Sequence, residues 1–182
     1  MGSCDSAGSG GGELGGTSPS SSSAEVGGSA GVTVRPRRDG DAERLVELLA
    51  RTHALDAYPV RGSLVGWAFL AGDVERAWVA QVDGRVEGHV CVLAGPDGPV
   101  LSRLFVNPDA RGAGVGSALL DAVDAWADER GLALRLVVLD QDAAARRLYE
   151  QRGWQHVASE PADWLGGEGP WPLAHDYRRP AR

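Results

Sequence analysis

One segment carries most of the information in this chain: Leu104-Phe105-Val106-Asn107-Pro108-Asp109-Ala110-Arg111-Gly112-Ala113-Gly114-Val115-Gly116-Ser117-Ala118-Leu119-Leu120. An apolar strand ends in it at Asn107, and a helix is predicted to begin after a turn that contains Gly112, Gly114 and Gly116. Glycine at alternate positions lets the backbone turn sharply, and the first N–H groups of a helix have no acceptor within it. Together with the positive end of the helix dipole, these groups predict a cradle for a phosphate or pyrophosphate.

A glycine-rich turn between a strand and a helix occurs in several kinds of protein. A lone Gly-x-Gly is often a plain turn, although Arg111 and the preceding strand favour a binding role. A P-loop requires Gly-Lys-Ser/Thr, and the chain contains no lysine. The dinucleotide fingerprint Gly-x-Gly-x-x-Gly would place Ser117 at its third glycine. Asp140, after the next predicted strand, keeps a Rossmann-type nucleotide site open as an alternative.

The sequence around this segment predicts strands and helices that form a mixed sheet. Asp83-Gly84 separates two β-rich runs and is the strongest hairpin signal in the chain. A helix crosses between the strands at 100–106 and 134–139, so these two strands are expected to be parallel neighbours. The other predicted elements are strands at 32–36, 77–82, 85–93, 154–159 and 173–178, a helix carrying Leu45, Leu48 and Leu49, and helices at 115–130 and 142–152.

Residues 1–31 differ in composition from the rest of the chain. They contain ten Gly and nine Ser, and Leu14 and Val26 are their only large apolar side chains apart from Met1. Such a segment buries too little apolar surface to offset the entropy of ordering it. We therefore expect a disordered tail at 1–31 and a single folded domain at 32–182.

Charge and cysteine usage restrict the class of protein. The net charge is −7, and three acids with no base lie at 1–31, which leaves 22 acids against 18 arginines in the domain. No basic stripe follows a predicted helix, so no nucleic-acid partner is expected, and a cationic amine is tolerated or mildly attracted. The apolar runs are too short for a membrane span. Cys4 and Cys91 form neither a disulfide framework nor a metal-ligand spacing, which predicts no metal and favours a reducing, cytoplasmic compartment.

Two motifs follow one another in the order and spacing of a known family. The first is Arg111 to Gly116, which reads Arg-x-x-Gly-x-Gly. The second runs from Asp142 to Trp154 and reads Asp-x-x-Ala-x-x-Leu-Tyr-Glu-x-x-Gly-Trp. They resemble the pyrophosphate motif and a later block of the GNAT superfamily of acyl-CoA N-acyltransferases, with Asp142 in place of Asn and Trp154 in place of Phe. The order of predicted elements from about residue 32 onward is also similar to that family.

The resemblance implies an α/β fold of the GNAT type, with a central, mostly antiparallel sheet flanked by helices and splayed between the parallel strands 100–106 and 134–139. It also implies acetyl-CoA as cosubstrate, with its pantetheine arm lying along the open strand edge like an added strand. The residues expected to hold acetyl-CoA are Leu104, Phe105, Val106, Arg111, Gly112, Ala113, Gly114, Val115, Gly116, Ser117 and Asp142. Asp142 is equally well explained as a helix N-cap, because a carboxylate lacks the donor of an amide.

Tyr149 is the residue that the resemblance implicates in catalysis, because the matching tyrosine protonates the departing CoA thiolate in many relatives. The alternative is that Tyr149 only packs, one helical turn from Ala145. A general base is not evident in the sequence. Glu87 and His89 share one face of a strand, but His89 is better explained as a core histidine, and water can also remove the proton of the amine.

Further candidates lie where the resemblance places the acceptor or the adenosine end of acetyl-CoA. They are His53, Asp56 and Tyr58 in an irregular segment, Trp164 and Trp171 in a Gly/Pro-rich loop, and Arg146, Arg147 and Arg152 on a helix. The sequence thus predicts direct transfer of an acetyl group from acetyl-CoA to a primary amine of a small molecule or a protein. A non-catalytic acyl-CoA-binding module is the alternative, and a homodimer is a common state in the family.

Overall fold

The computed structural model describes residues 26–27 and 31–181, which form eight strands and four α-helices. The predicted disorder of residues 1–25 and 28–30 lies outside the described residues. The strands are β1 Val26–Gly27, β2 Val32–Pro36, β3 Val74–Val82, β4 Arg85–Leu93, β5 Val100–Val106, β6 Leu134–Leu139, β7 Gln155–Pro161 and β8 Leu173–Arg179. The helices are α1 Ala42–Asp56, α2 Trp67–Ala71, α3 Val115–Asp128 and α4 Ala143–Gln151.

All of these strands belong to one sheet, in the order β1-β2-β3-β4-β5-β6-β8-β7. Neighbours are antiparallel except β5 and β6, which are parallel, so the predicted mixed sheet and its parallel pair are confirmed. Asp83 and Gly84 form the predicted turn between β3 and β4, with φ of 49° and 77°. Two left-handed residues are what a tight hairpin turn needs for its twist to match that of the strands.

Helices cover the two faces of the sheet, and each face has its own apolar core. On one face α1 and α2 pack over β3 to β5, and the buried residues there are Leu45, Leu48, Leu49, Leu70, Val79, Val86 and Phe105. On the other face α3 and α4 cover a larger core, which includes Leu119, Leu120, Val123, Trp126, Leu134, Leu136, Tyr149, Trp154 and Tyr177. The predicted apolar stripes of α1 and α3 are therefore the buried stripes, as amphipathic helices require.

Some elements differ from the sequence prediction. α2 lies in a segment predicted to be irregular, since five apolar and small residues are too few to show a helical period. β3 begins at Val74 rather than Ala77, and β7 extends to Pro161. α3 ends at Asp128, two residues early, and Gly131 follows with a φ of 61° as the predicted C-terminal glycine.

The N-terminal turn of α3 lies against β4 at Gly88. A Cβ atom at this position would be 2.7 Å from Val115 Cγ1 and 3.0 Å from Leu119 Cδ1. Only glycine allows the helix to approach the strand so closely. Because Gly88 pairs with Val106 across the sheet, this contact fixes the start of α3 beside the end of β5.

Ion pairs hold α3, α4 and β8 together. Arg152 donates to Asp124 over 2.8 Å and also binds Asp121. Arg179, which is only 3% exposed, lies 2.9 Å from Asp124 and 2.7 Å from Asp128. These contacts engage three acids of α3, Asp121, Asp124 and Asp128, and they give Arg152 structural partners in place of a cofactor phosphate.

Candidate active site

The parallel strands β5 and β6 separate almost as soon as they meet. Val100 and Arg135 form their single ladder pair, supported by a hydrogen bond of 3.1 Å from Arg135 N–H to the carbonyl of Pro99. Beyond that pair, the edge of β5 that faces β6 has no ladder partner on β6. The predicted splay is therefore present, and an extended ligand with amide groups would find an open strand edge.

β5 contains a bulge next to this gap. On β4, Cys91 pairs with Ser102 and His89 pairs with Phe105, so that Arg103 and Leu104 together oppose one residue. Arg103 has a φ of 54°, the left-handed conformation typical of one type of bulge. The bulge redirects the backbone of β5 halfway along the gap, where Leu104 and Val106 are half-buried and Phe105 is buried in the core under α1.

The glycine-rich turn lies at the open end of the gap. Gly114 caps α3 with a φ of 82°, and the first helical hydrogen bond runs over 2.9 Å from Ala118 N–H to the carbonyl of Gly114. The N–H groups of Val115, Gly116 and Ser117 precede that bond, so none has an acceptor within the helix. This arrangement fits the pyrophosphate that the sequence predicts here.

Arg111, the first residue of the pyrophosphate motif, forms an ion pair with Asp56 at the C-terminal end of α1. The hydrogen bond from Arg111 to Asp56 raises the pKa of Arg111 above its usual value. Arg51 of the same helix binds Asp109 over 2.6 Å. The sequence places Asp56 only in an irregular acceptor segment, and no local signal connects it with Arg111, 55 residues away.

Tyr149 lies in the core between α4 and the sheet and is 5% exposed. Its ring contacts Trp154 and Tyr177, with centroid distances of 5.7 Å and 6.5 Å. Burial raises the pKa of Tyr149 above the usual value of a phenol, and the nearby groups of Tyr58 and Asp142 raise it further. The phenol therefore keeps its proton at neutral pH, as a proton donor must.

Asp142 caps α4. Its side chain accepts a hydrogen bond of 3.2 Å from the N–H of Ala145, which is the usual interaction of an N-cap carboxylate. Of the two interpretations left open by the sequence, the structure thus contains the cap. The contribution of Asp142 to acetyl-CoA binding stays a prediction.

The predicted base candidates are occupied by other contacts. His89 is fully buried, with Nδ1 2.9 Å from the carbonyl oxygen of Arg103 and Nε2 3.2 Å from Nη1 of Arg37. Because arginine only donates, Nε2 must accept and Nδ1 must donate. Burial lowers the pKa of His89 to about 4, so the ring is neutral at pH 7. Glu87 binds Arg44 over 3.1 Å and Asn107, and both contacts hold its carboxylate in place.

The predicted acceptor segments meet at one end of the molecule. Arg61, in the segment after α1, donates to the carbonyl of Leu165 in the loop before β8. Trp164 and Trp171 of that loop are 61% and 37% exposed. His53 Nδ1 lies 2.8 Å from the carbonyl of Pro59, a contact that shapes the first of the two segments.

Arg146 and Arg147 lie on the outer side of α4. They line a cavity of about 260 Å³ together with Ala143 and Glu150. Arg146 also binds Asp140 over 3.0 Å, while the structure gives Arg147 no carboxylate partner among the described residues. Of the three arginines that the sequence offers for the adenosine end of acetyl-CoA, these two border open space and Arg152 does not.

Sequence reasoning missed Arg37 and Arg103, which lie on the α1 and α2 side of the gap. The one signal for Arg103 is the absence of a regular alternation, because apolar side chains follow it at three successive positions, 104 to 106. A bulge disrupts the alternation of a strand.

Two kinds of feature are absent from the described residues. None of the helices in 31–181 is both long enough and apolar enough to cross a membrane. Within the same part of the chain, no three side chains of His, Cys, Asp or Glu are grouped so that they would hold a metal ion.

Solved structures of acetyltransferases share the fold of this chain. The ribosomal-protein-S18-alanine N-acetyltransferase from Escherichia coli has a TM-score of 0.68 at 22% identity, over 82% of this chain and 94% of that chain. A GNAT enzyme from Kribbella flavida has a TM-score of 0.67 at 23% identity, over 82% and 98%. An acetyltransferase from Salmonella typhimurium, solved with its cofactor acetyl-CoA, has a TM-score of 0.63 at 20% identity, over 82% and 93%.

The family assignment comes from the central part of the sequence. Residues 73–156 match the model of the acetyltransferase (GNAT) domain, and this range contains the strands of the gap, the glycine-rich turn, α3 and α4. The chain therefore carries a GNAT acetyltransferase domain in this central part, the domain of enzymes that use acetyl-CoA as the acyl donor. The resemblance of the two sequence motifs is confirmed.

Proposed function

We propose that the chain transfers the acetyl group of acetyl-CoA directly to a primary amine, in a ternary complex on the α1 and α2 side of the gap between β5 and β6. The observation that carries this proposal is the single ladder pair between those strands, with the N-terminus of α3 at the open end. The open edge of β5 can pair with the amide groups of the pantetheine arm, and the free N–H groups of α3 can bind the pyrophosphate.

The proposed contacts divide the donor into two parts. Leu104, Phe105 and Val106 hold the pantetheine arm through their backbone, because the edge of β5 beyond Val100 is open. The turn from Arg111 to Ser117, with Asp142 beside it on α4, holds the pyrophosphate. The first N–H groups of α3 have no acceptor within the helix, so they can bind anionic oxygens although the chain has no lysine.

The chemical step requires a neutral amine and a proton for the leaving thiolate. The amine nitrogen attacks the thioester carbonyl, the C–N bond forms, and the C–S bond breaks. In our proposal the Tyr149 hydroxyl protonates the thiolate, and water takes the proton that the amine loses and returns one to the Tyr149 phenolate. The Tyr149 hydroxyl makes no hydrogen bond within the described chain and is not an enclosed atom, which supports its role as a donor to a ligand. Positioning two reactants in one cleft supplies much of the rate.

The test is an assay of CoA thiol release with acetyl-CoA and a panel of amines, with mass spectrometry of the acetylated product. We expect release that depends on both acetyl-CoA and an amine. Binding of acetyl-CoA without turnover of any amine would instead identify a non-catalytic acyl-CoA-binding module. Because the chain has no lysine, self-acetylation of lysine cannot be mistaken for turnover.

The compartment and partners are further parts of the proposal. We infer a cytoplasmic protein from its cysteines, since Cys91 is a buried free thiol and no second cysteine lies in the domain. We infer no nucleic-acid partner, because half of the arginines of the domain pair with carboxylates instead of forming a basic surface. A homodimer is an expectation from the family, to be checked by light scattering.

A further inference from the structure

Two arginines lie side by side between α2 and the sheet. Arg37 Nη1 donates to the carbonyl of Leu70 over 2.6 Å, and its guanidinium lies 4.9 Å from the ring centroid of Trp67. Arg103 Nη1 donates to the carbonyl of Gly72 over 2.7 Å, and its guanidinium lies 4.8 Å from the ring centroid of Phe69. Both side chains are half-buried, and both rest on aromatic rings that fix their orientation.

Neither guanidinium has a carboxylate partner among the described residues. All the ion pairs on this part of the sheet involve other arginines, and Asp41, a buried acid whose charge reaches Arg37, is bound by Arg35 over 2.7 Å. Burial lowers the pKa of Arg37, and the charge of Arg103 lowers it further. Two like charges that share a half-buried site without a counter-ion are unfavourable, and a bound anion removes that cost.

Capping of α2 accounts for only part of this arrangement. Each arginine uses one nitrogen, Nη1, on a carbonyl at the C-terminal end of the helix, which is a common role for a cation. The same Nη1 atoms also contact His89 and the thiol of Cys91. Nε of Arg103 is enclosed, whereas Nη2 of both arginines and Nε of Arg37 are not enclosed and make no hydrogen bond in the described chain. A planar guanidinium with free donors is suited to bidentate binding of an oxyanion.

The position of the pair connects it with the acceptor. Arg103 is the bulge residue of β5, the strand that we propose holds the pantetheine arm. Its carbonyl binds His89 of β4, and its side chain points toward α2, away from the turn that we propose holds the pyrophosphate. The free donors therefore lie on the side of the gap from which an amine approaches, and not on the path of the CoA phosphates.

We propose that Arg37 and Arg103 bind an anionic oxygen group of the acceptor, so that the substrate is an amine that also carries a carboxylate. This proposal rests on the proposed function and names the class of its acceptor. The net negative charge of the domain favours a cationic amine. The two arginines add a local positive charge, which favours an amine that also carries an acid group. A phosphate ester on the amine has the same chemistry, and the test separates the two sources.

The experiment measures acetylation by the full chain with three matched classes of acceptor: ω-amino acids, their amides, and aminoalkyl phosphates. Each class is tested over a series of spacer lengths at constant ionic strength. We expect kcat/KM for the preferred acid to exceed that of its amide by about 10- to 100-fold, as for one charge-assisted hydrogen bond. Arg103→Gln should remove that preference, so that kcat/KM falls far more for the acid than for its amide. Arg76→Gln is the control, because Arg76 also stacks on a ring, that of Trp78, but is exposed on β3.

A second measurement needs no turnover. With CoA bound, the preferred acid should raise the melting temperature of the protein, and its amide should not. Arg37→Gln or Arg103→Gln should abolish this rise, while the shift caused by CoA itself persists.

The outcomes separate the two proposals. Acids that bind but are not acetylated would overturn the proposed function and support the anion site formed by the two arginines. Amides that are acetylated as well as acids would overturn the inference alone. A preference for aminoalkyl phosphates over carboxylates would overturn the assignment of the carboxylate, and an equal loss on acids and amides in Arg103→Gln would reduce Arg103 to a structural residue.

Discussion

His89 and Tyr149 are both buried beside the gap, but they differ in their hydrogen bonds. Both ring nitrogens of His89 are engaged, one with Arg37 and the other with the carbonyl of Arg103. The Tyr149 side chain is buried, with 5% of the residue exposed, and its hydroxyl has no hydrogen-bond partner within the described chain. The hydroxyl is not one of the enclosed polar atoms that lack a partner, so its oxygen is open to a ligand or water. Among single residues, Tyr149 is therefore the better candidate for chemistry and His89 for structure.

Tyr149→Phe should separate catalysis from packing. The variant keeps the ring between Trp154 and Tyr177 and removes only the hydroxyl, so the melting temperature and the acetyl-CoA affinity should stay unchanged. Loss of a general acid lowers turnover by about 10²- to 10⁴-fold, and we expect the lower end because a thiolate is a tolerable leaving group. Steady-state kinetics on any accepted amine provide the measurement. A kcat within a few-fold of the parent would leave Tyr149 as a packing residue only.

His89 should make stability depend on pH. Its pKa is lowered to about 4 in the folded protein, whereas an unfolded histidine titrates near 6.5. The unfolded state thus binds more protons between these values, so the contribution of His89 is complete above pH 6.5 and is lost as the pH falls to about 4.

His89→Gln should remove this part of the pH dependence, because an amide can bind Arg37 and the Arg103 carbonyl without titrating. We expect the difference between parent and variant in the free energy of unfolding to change by about 3 kcal/mol across the window, as measured by urea denaturation. The exposed residue His156 serves as the control, in His156→Gln. Parallel curves for the parent and His89→Gln would show that His89 is protonated normally in the fold.

Among the secondary-structure elements, α3 takes a position that depends on Gly88. The first turn of the helix approaches β4 so closely that a methyl group would overlap with Val115. The same turn presents the free N–H groups to the open end of the gap. Packing of one helix on one strand therefore sets the geometry of the proposed pyrophosphate site.

Gly88→Ala should destabilise the protein by about 1–3 kcal/mol, the usual cost of overpacking, and should also weaken acetyl-CoA binding because it displaces the start of α3. Chemical denaturation and a binding titration measure the two effects. Gly40→Ala is the matched control, since a Cβ atom there meets nothing within 4 Å. Normal affinity in a folded Gly88→Ala protein would show that the position of α3 does not govern the site.

The sequence predicts those elements whose local signals are strong. Asp83-Gly84 marks a hairpin by turn chemistry alone, and the glycine-rich turn after Asn107 marks the start of α3. By contrast, α2 is too short to show a period, and the bulge at Arg103 depends on pairing with β4, which lies more than ten residues away. The pair of Asp56 and Arg111 is a contact between distant segments and has no local signal at all. The glycine-rich turn and the start of α3 were therefore predictable, while the positions of Arg37 and Arg103 were not.

In the molecule as a whole, the domain and the tail should be separable. Val26 and Gly27 pair with Val34 and Thr33, and these are the only ladder contacts that the structure gives to the residues before 31. A chain that begins at Gly31 should keep the melting temperature of the parent within about 2–4 °C, which corresponds to about 1 kcal/mol in a domain of this size. It should also keep its acetyl-CoA affinity. A larger fall in either quantity, by calorimetry or titration, would show that the tail contributes to the fold or to the site.

The gap between β5 and β6, with the turn at Gly114, is where acetyl-CoA binds in our proposal. Gly114→Ala and Gly114→Asp share the strain of a side chain at a φ of 82°, and only the second places a negative charge in the turn. At a concentration about 100-fold above Kd, acetyl-CoA should raise the melting temperature of the parent by roughly 5–10 °C. We predict that folded Gly114→Ala keeps a shift and that folded Gly114→Asp loses it. A folded Gly114→Asp protein that acetyl-CoA still stabilises as much as the parent would show that the donor binds elsewhere.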